Sequence, residues 1–279
     1  DMDNPYVTYH NNYIESEWWA LKQIWEKDLI YKGHKIVPYC PRCGTALSSH
    51  EVAQGYKDVK DTSAIAKFKL LGKENEYILA WTTTPWTLPS NVALAANENV
   101  EYVKIFAKDK NEYYILAKAL LENVVTDEYE IVDEFLGDAL KGIEYTPLFN
   151  FAQDEKKKKH YVVCDDYVTL TDGTGIVHIA PAFGEDDARL GRENDLPFVQ
   201  LVNPEGNFVE GCGNLTGVFI KDADKLVIES LKSRNLLYKT ETYEHNYPFC
   251  WRCDTPLMYY ARNTWFIKMT SVRDQLVKN

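Results

Sequence analysis

Of the six cysteines in this 279-residue chain, four form two pairs, Cys40-Pro-Arg-Cys43 and Cys250-Trp-Arg-Cys253, while Cys164 and Cys212 stand alone. Two such knuckles offer four thiolates, a donor set that suits tetrahedral Zn²⁺. Four sulfur ligands leave no position open to a substrate, so a zinc held this way would be structural. About 200 residues separate the pairs; one shared ion would require the chain to leave at the first knuckle, build a domain and return. Reduced buried thiols and a disulfide are the alternatives, the second disfavoured in a cytosolic compartment.

Two further stretches could do chemistry. In Trp81-Thr82-Thr83-Thr84-Pro85-Trp86-Thr87-Leu88-Pro89-Ser90-Asn91, three threonines enter a bend stiffened by Pro85, which fixes its own φ and biases Thr84 toward extended geometry. Hydroxyls and backbone donors gathered on a rigid bend can bind a ligand. An ordinary strand end with Trp86 as a core aromatic explains the same pattern. In Gly173-Thr174-Gly175-Ile176-Val177-His178-Ile179-Ala180-Pro181-Ala182-Phe183-Gly184-Glu185-Asp186-Asp187, a glycine turn leads into a strand, a second turn and three acids opening a helix. Capping and the helix dipole account for the acids, and an isolated His178 is usually structural. A carboxylate and an imidazole beside a glycine-rich turn could also bind a small cation and orient a water.

Other catalytic signatures are missing from the sequence: no phosphate loop, no His-Glu-x-x-His and no Gly-x-Ser-x-Gly elbow. Gly211-Cys-Gly-Asn-Leu-Thr-Gly217 has its third glycine one residue late for a dinucleotide loop and reads as a turn. The six histidines are scattered.

The elements that must carry these groups follow from periodicity. Ile14, Trp18, Leu21 and Trp25 form one stripe of a helix over 12–32, and 264–279 turns helical toward its end. Alternation predicts strands at 64–70, 77–81, 102–106, 113–116, 161–163 and 175–179. Helices are expected at 117–123, 185–195 and 222–234, the last stopped by Asn235. With 45% hydrophobic and 26% charged residues the chain is globular. No apolar run reaches the ~18 residues a membrane helix needs. The acidic, aromatic N-terminus is neither a secretory signal nor a transit peptide, and without Met at position 1 the chain reads as an excised piece. A net charge of −11 argues against broad nucleic-acid binding through counterion release. The basic run Lys156–Lys159, after Asp154-Glu155, is expected to be a solvated loop tip.

The threonine peptide and the Gly-Thr-Gly-Ile-Val-His-x-Ala-Pro-x-Phe-Gly-x-x-Asp run resemble the two editing motifs of the insertion, or connective polypeptide, found in isoleucyl-tRNA synthetases of class I. The flanks agree: Asp3-Asn4-Pro5-Tyr6-Val7-Thr8, the segment from Cys40 through Gly44-Thr-Ala-Leu-Ser-Ser-His-Glu51, and Cys250-Trp-Arg-Cys253-x-Thr-Pro-Leu-Met-Tyr-Tyr260. The resemblance runs nearly end to end. Valyl and leucyl relatives typically carry Arg where Thr84 stands and lack Trp86.

That resemblance implies an α+β fold, a compact β-barrel-like editing core with peripheral helices inserted in a zinc-pinned stem. The stem would comprise 1–61 and 232–279, and the editing domain 62–231. The implied activity is hydrolysis of mischarged valyl-tRNA(Ile), with Asp187 holding the substrate's α-ammonium. Thr82, Thr83 and Thr84 would hold the ester and terminal adenosine, His178 and Trp86 would border the side-chain pocket, and Asn91 matches a further position. Cys40, Cys43, Cys250 and Cys253 would hold Zn²⁺. The synthetic signatures His-Ile-Gly-His and Lys-Met-Ser-Lys-Ser do not occur, so no ATP site is expected in this fragment. The implied partners are the tRNA(Ile) 3′ end and the remainder of the synthetase, in the cytoplasm and away from membranes. A non-catalytic zinc-stabilised tRNA-docking module and a valyl- or leucyl-type editing domain are the competing readings.

Overall fold

The structure is a computed structural model describing residues 3, 5–151 and 156–278; Asn4 of the N-terminal motif and Asp154-Glu155 lie outside them. The chain forms two compact units, Asp1–Lys35 with Arg262–Asn279, and Ile36–Ala261. Among the described residues no helix is long and apolar enough to cross a membrane.

The larger unit is a mixed α+β domain built on a curled nine-stranded sheet. Its pivot is the strand Glu76–Thr82. Along one edge this strand pairs antiparallel with Tyr56–Lys69, from Lys69↔Tyr77 to Ala64↔Thr82. Its other edge is divided: Glu76–Ile78 pairs parallel with Glu112–Ala117, and Trp81 with Val177 of the strand Ile176–Ile179. The sheet forks between these two partners. Gly175 stands there at φ +70°, where a Cβ would lie 2.4 Å from that of Ala117; only glycine admits both the positive φ and the close approach.

One branch carries Glu101–Ala107 and Tyr129–Leu136. The other runs through Ala93–Ala96 to Tyr161–Cys164. The segment 142–146 then joins that last strand back to the first: the Val162 N–H donates to Ile143 O, Tyr145 N–H to His160 O and Thr146 N–H to Lys69 O, at 2.9, 3.0 and 2.8 Å. The sheet thereby curls into a small barrel, the economical way to remove edges. The expected α+β class and barrel-like core are both present.

The helix Ile220–Ser233 covers the barrel with Ile220, Ala223, Val227 and Leu231 buried. It stops at Asn235, left-handed at φ +55°, whose side-chain amide donates to Glu112 Oε1 at 3.2 Å. Glu112 in turn receives Lys67 Nζ at 2.7 Å, with both side chains within the core at 2% and 8% exposed, and the Tyr114 hydroxyl. A charge pair so deep is held by having every neighbour bonded to it.

In the smaller unit the helix ends at Trp25 rather than near 32. Asp28 at φ +54° breaks it, and the strand Ile30–Cys40 begins two residues later. The Ile14, Trp18, Leu21 and Trp25 stripe exists, but no residue of this helix is buried. Within the unit Trp18, Trp25 and Trp265 line an apolar groove of about 1000 Å³, and the Trp25 and Trp265 rings meet edge-on at 6.0 Å. The closing helix is Arg273–Lys278.

Removing one member of the buried pair alone should be costly: Lys67→Met is expected to lose about 3–5 kcal/mol in urea unfolding. The double change Lys67→Met with Glu112→Gln, which keeps an acceptor for Tyr114, should lose less than the single change.

Candidate functional site

Thr82, Thr83 and Thr84 stand where the pivot strand ends and the 3₁₀ turn Pro85–Ser90 begins. The Thr84 N–H donates to Thr82 Oγ1 at 3.1 Å, and Thr87 Oγ1 donates to the Thr84 carbonyl at 2.8 Å. This short turn folds back on itself and presents its hydroxyls to one side. Opposite it runs the strand Ile176–Ile179, followed by a turn and the helix Glu185–Glu193.

A cavity of about 280 Å³ lies between them, lined by Thr82, Thr83, Thr84, His178 and Asp187 together with Thr87. Trp81, Val177, Ala180, Phe183 and Gly184 complete its wall. Five residues expected from the sequence thus meet at one place. Trp86 and Asn91 do not line it. Trp86 is buried behind the wall, its ring edge-on to Phe183 at 4.9 Å. Asn91 faces the core, donating to Ala93 O and accepting from the Tyr145 hydroxyl, at 2.8 and 2.7 Å; it fixes the exit of the threonine peptide.

Thr87 also lines the cavity, although the motif resemblance gives it no role. Its hydroxyl is 2.9 Å from His178 Nε2. Because the Thr87 proton is spent on the Thr84 carbonyl, the network assigns the proton of this contact to His178 Nε2, which donates. Burial drives the His178 pKa down to about 4, so the ring is neutral, and its Nδ1 is buried without a partner. The spacing was a signal: Thr87 is three residues past Thr84, and a 3₁₀ turn brings i and i+3 onto one side.

Asp187 is half-buried in the first turn of its helix, and Oδ2 accepts the Ala180 N–H at 2.8 Å. The carboxylate folds back over Gly184, where a Cβ would sit 2.7 Å from its carbon. Burial is the main cause that pushes the Asp187 carboxyl up to about 7; the Ala180 N–H opposes it, and the Asp186 charge adds to it. A cation in the cavity would relieve that penalty. Glu185 and Asp186 are exposed, and the helix begins at Gly184 without a side-chain cap. They act on the helix dipole, with Asp186 also 3.7 Å from Arg189. Within the basic run Lys157 pairs with Asp195 at 2.7 Å and Lys158 with Glu144 at 3.1 Å.

Away from this cavity, Cys40, Cys43, Cys250 and Cys253 converge, with all four Sγ atoms within 4.8 Å of one another. The shorter separations are 3.4, 3.5 and 3.9 Å. Bonds of ~2.3 Å to a tetrahedral metal put sulfurs about 3.8 Å apart, so the four thiols could hold one ion. All six cysteines are free thiols. The knuckles are built alike: the residues after them, Gly44 and Asp254, are left-handed at φ +67° and +61°, and their N–H groups return to Cys40 O and Cys250 O. Glu51 ties the second knuckle to the helix Ser49–Ala53, accepting from Arg252 at 2.7 Å and the Trp251 indole at 3.2 Å.

A family profile described as tRNA synthetases class I (I, L, M and V) matches residues 1–279. The isoleucine–tRNA ligase of Clostridium acetobutylicum is 64% identical over the whole chain, which spans 27% of that protein. The isoleucine–tRNA ligase of Bacillus thuringiensis is 50% identical over the same span, again 27% of its length. Among solved structures, GlLeuRS-CP1 has a TM-score of 0.53 at 14% identity, covering 64% of this chain and 99% of that one. The P. knowlesi cytosolic leucyl-tRNA synthetase editing domain has a TM-score of 0.50 at 12% identity, covering 68% and 99%. These structures share the fold of the larger unit's sheet and helices, and the sequence identities go further: the chain belongs to the class I tRNA synthetases, with isoleucine–tRNA ligases as its relatives.

Proposed function

We propose that this chain is the proofreading part of an isoleucyl-tRNA synthetase and that it hydrolyses valine from valyl-tRNA(Ile). The observation that carries the reading is the cavity where the threonine peptide, His178 and the Asp187 carboxylate meet. An aminoacyl ester carries a free cationic amine, and a half-buried carboxylate with a raised pKa is the group that gains most from meeting it. The threonine hydroxyls and backbone groups then have the ester and the terminal ribose within reach. His178, neutral and fixed on Thr87, serves as a wall. The cavity space beside it would accept the valine side chain and reject the extra methylene of isoleucine.

The need for a second sieve is physical. One methylene is worth only ~1–3 kcal/mol to a binding pocket, an argument for which this synthetase is a standard example. In the reaction a water oxygen attacks the ester carbonyl, the bond to the ribose oxygen breaks, and that oxygen takes a proton. Valine and free tRNA leave. The protein's residues bind and orient; we assign no protein general base, and a neighbouring ribose hydroxyl would help the water. With a chain of net charge −11, most tRNA affinity would come from the remainder of the cytoplasmic synthetase, while only the single-stranded 3′ end enters here. We assign Zn²⁺ to the four cysteines as a structural ion; when bound it would cross-link two knuckles distant in sequence.

Three measurements test this. Deacylation of valyl-tRNA(Ile) should be fast, that of isoleucyl-tRNA(Ile) slow, and Asp187→Ala should lower the first by about 10²-fold or more, the cost of removing one side of a buried charge pair. Equal hydrolysis of both esters would sink the size sieve.

The same carboxylate sets a pH dependence. Below about 7 Asp187 is protonated in the free protein, so kcat/KM should rise toward neutrality and fall once the substrate amine deprotonates near ~8. Asp187→Asn should abolish the rising limb.

Elemental analysis should find about one zinc per chain, as four-sulfur sites bind. Mercurial titration of the thiols should release it, and Cys250→Ser should lower both zinc content and thermal stability. Accessible thiols with substoichiometric metal would refute the assignment.

A further inference from the structure

The 3₁₀ turn that carries Thr87 poses a hydrogen-bonding problem. Pro85 has no N–H, so the Trp86 N–H is the first free donor of the turn, and Thr84 provides no side-chain cap. A buried donor left unpaired costs ~1–3 kcal/mol. The acceptor comes from 138 residues away: Oδ1 of Asp224 receives the Trp86 N–H at 2.8 Å. Asp224 belongs to the helix Ile220–Ser233, anchored by four apolar residues in the core. Trp86 is therefore held twice, at its backbone by Asp224 and at its ring by Phe183, a residue of the cavity wall. The next residue is Thr87, whose hydroxyl bonds the Thr84 carbonyl and meets His178.

We infer that Asp224 is a positioning residue for the cavity: its carboxyl oxygen fixes the start of the threonine turn, and through it the Thr87 hydroxyl against His178. The activity readout of this inference rests on the hydrolase reading above; the geometric readout does not. What the turn requires is an acceptor oxygen, not a charge. The charged and titratable groups facing Asp224 are Lys221, Asp61 and Tyr247, with His245 behind them. Lys221 and His245 are already engaged with Asp61, at 2.8 and 3.2 Å. An asparagine at 224 would supply the same oxygen and leave that cluster as it is.

The test compares Asp224→Ala with Asp224→Asn in the whole chain by ¹⁵N NMR, following the Trp86 amide and the His178 ring nitrogens. Asp224→Ala should move the His178 Nε2 resonance and speed Trp86 amide exchange by about tenfold or more, while Asp224→Asn restores both, since the lost cap is worth ~1–3 kcal/mol. In deacylation of valyl-tRNA(Ile), Asp224→Ala should lower kcat by about 10²-fold with KM within about threefold, as misplacing a wall group by an ångström does, and Asp224→Asn should recover it. If Asp224→Ala does not fold, Asp224→Ser, too short to reach Trp86, is read in its place. Wild-type resonances in the alanine or serine variant, or failure of asparagine to restore them, would overturn the inference. Absence of deacylation in the unmodified chain would instead strike the hydrolase reading, with the resonances still deciding the role of Asp224.

Discussion

The divided edge of the strand Glu76–Thr82 is the constraint on which the rest of the larger unit depends. A strand has two edges, and this one shares its second edge between two parallel partners. Once the sheet forks there, the branch through Ile176–Ile179 must curl away, and the threonines at the end of the pivot strand come to face His178. The cavity lies on that branch, between the threonine turn, the strand Ile176–Ile179 and the turn that leads to Asp187. The same fork explains why the glycine turn at 173–175 is needed, since the chain must cross Ala117 at close quarters before it can join the pivot strand.

Curling also relieves a problem that a forked sheet would otherwise have. The short strand Tyr161–Cys164 would end in an open edge, yet segment 142–146, which is no regular strand, pairs its backbone to both sides. Rigidity at the site is thus inherited from closure, and the helix Ile220–Ser233 adds a second, independent brace through Asp224. Precise catalytic geometry is better supported by such fixed elements than by free loops. The cysteine knuckles repeat the theme on a smaller scale: two local turns, each closed by a left-handed residue, are set against one another by a distant return of the chain.

What was legible in the sequence was local. Cys-x-x-Cys pairs, a threonine-proline bend and a glycine-framed strand declare themselves within a dozen residues, and the structure brings the threonine bend and the glycine-framed strand to one cavity. Asn235 was readable as a helix stop because asparagine tolerates the left-handed region. Non-local facts were hidden. Nothing in Ala93–Ala96 favours a strand, because alanine prefers helix; pairing on both sides by Ile176–Ile179 and Tyr161–Cys164 overrides that preference. The acid-rich Tyr129–Leu136 is hidden for a different reason, its exposure leaving little apolar alternation to see. The strand Ile30–Cys40 was hidden by the helical period running into it, since the break at Asp28 depends on a backbone angle rather than on a proline or glycine. Trp86, expected to border the pocket, stands one layer behind its wall, because a turn's direction cannot be taken from its composition.

The tryptophans have a practical consequence for anyone who follows this chain by light. Of its seven indoles, Trp18, Trp19, Trp25, Trp251 and Trp265 are each at least half exposed, and Trp86 alone is buried. Native emission will therefore be red-shifted and readily quenched by acrylamide, dominated by surfaces far from the cavity in sequence. A fluorescence change on adding ligand would report mainly on those surfaces. Replacing the exposed indoles by phenylalanine would leave Trp81 and Trp86, one in the cavity wall and one just behind it, as a quiet optical window on the site itself.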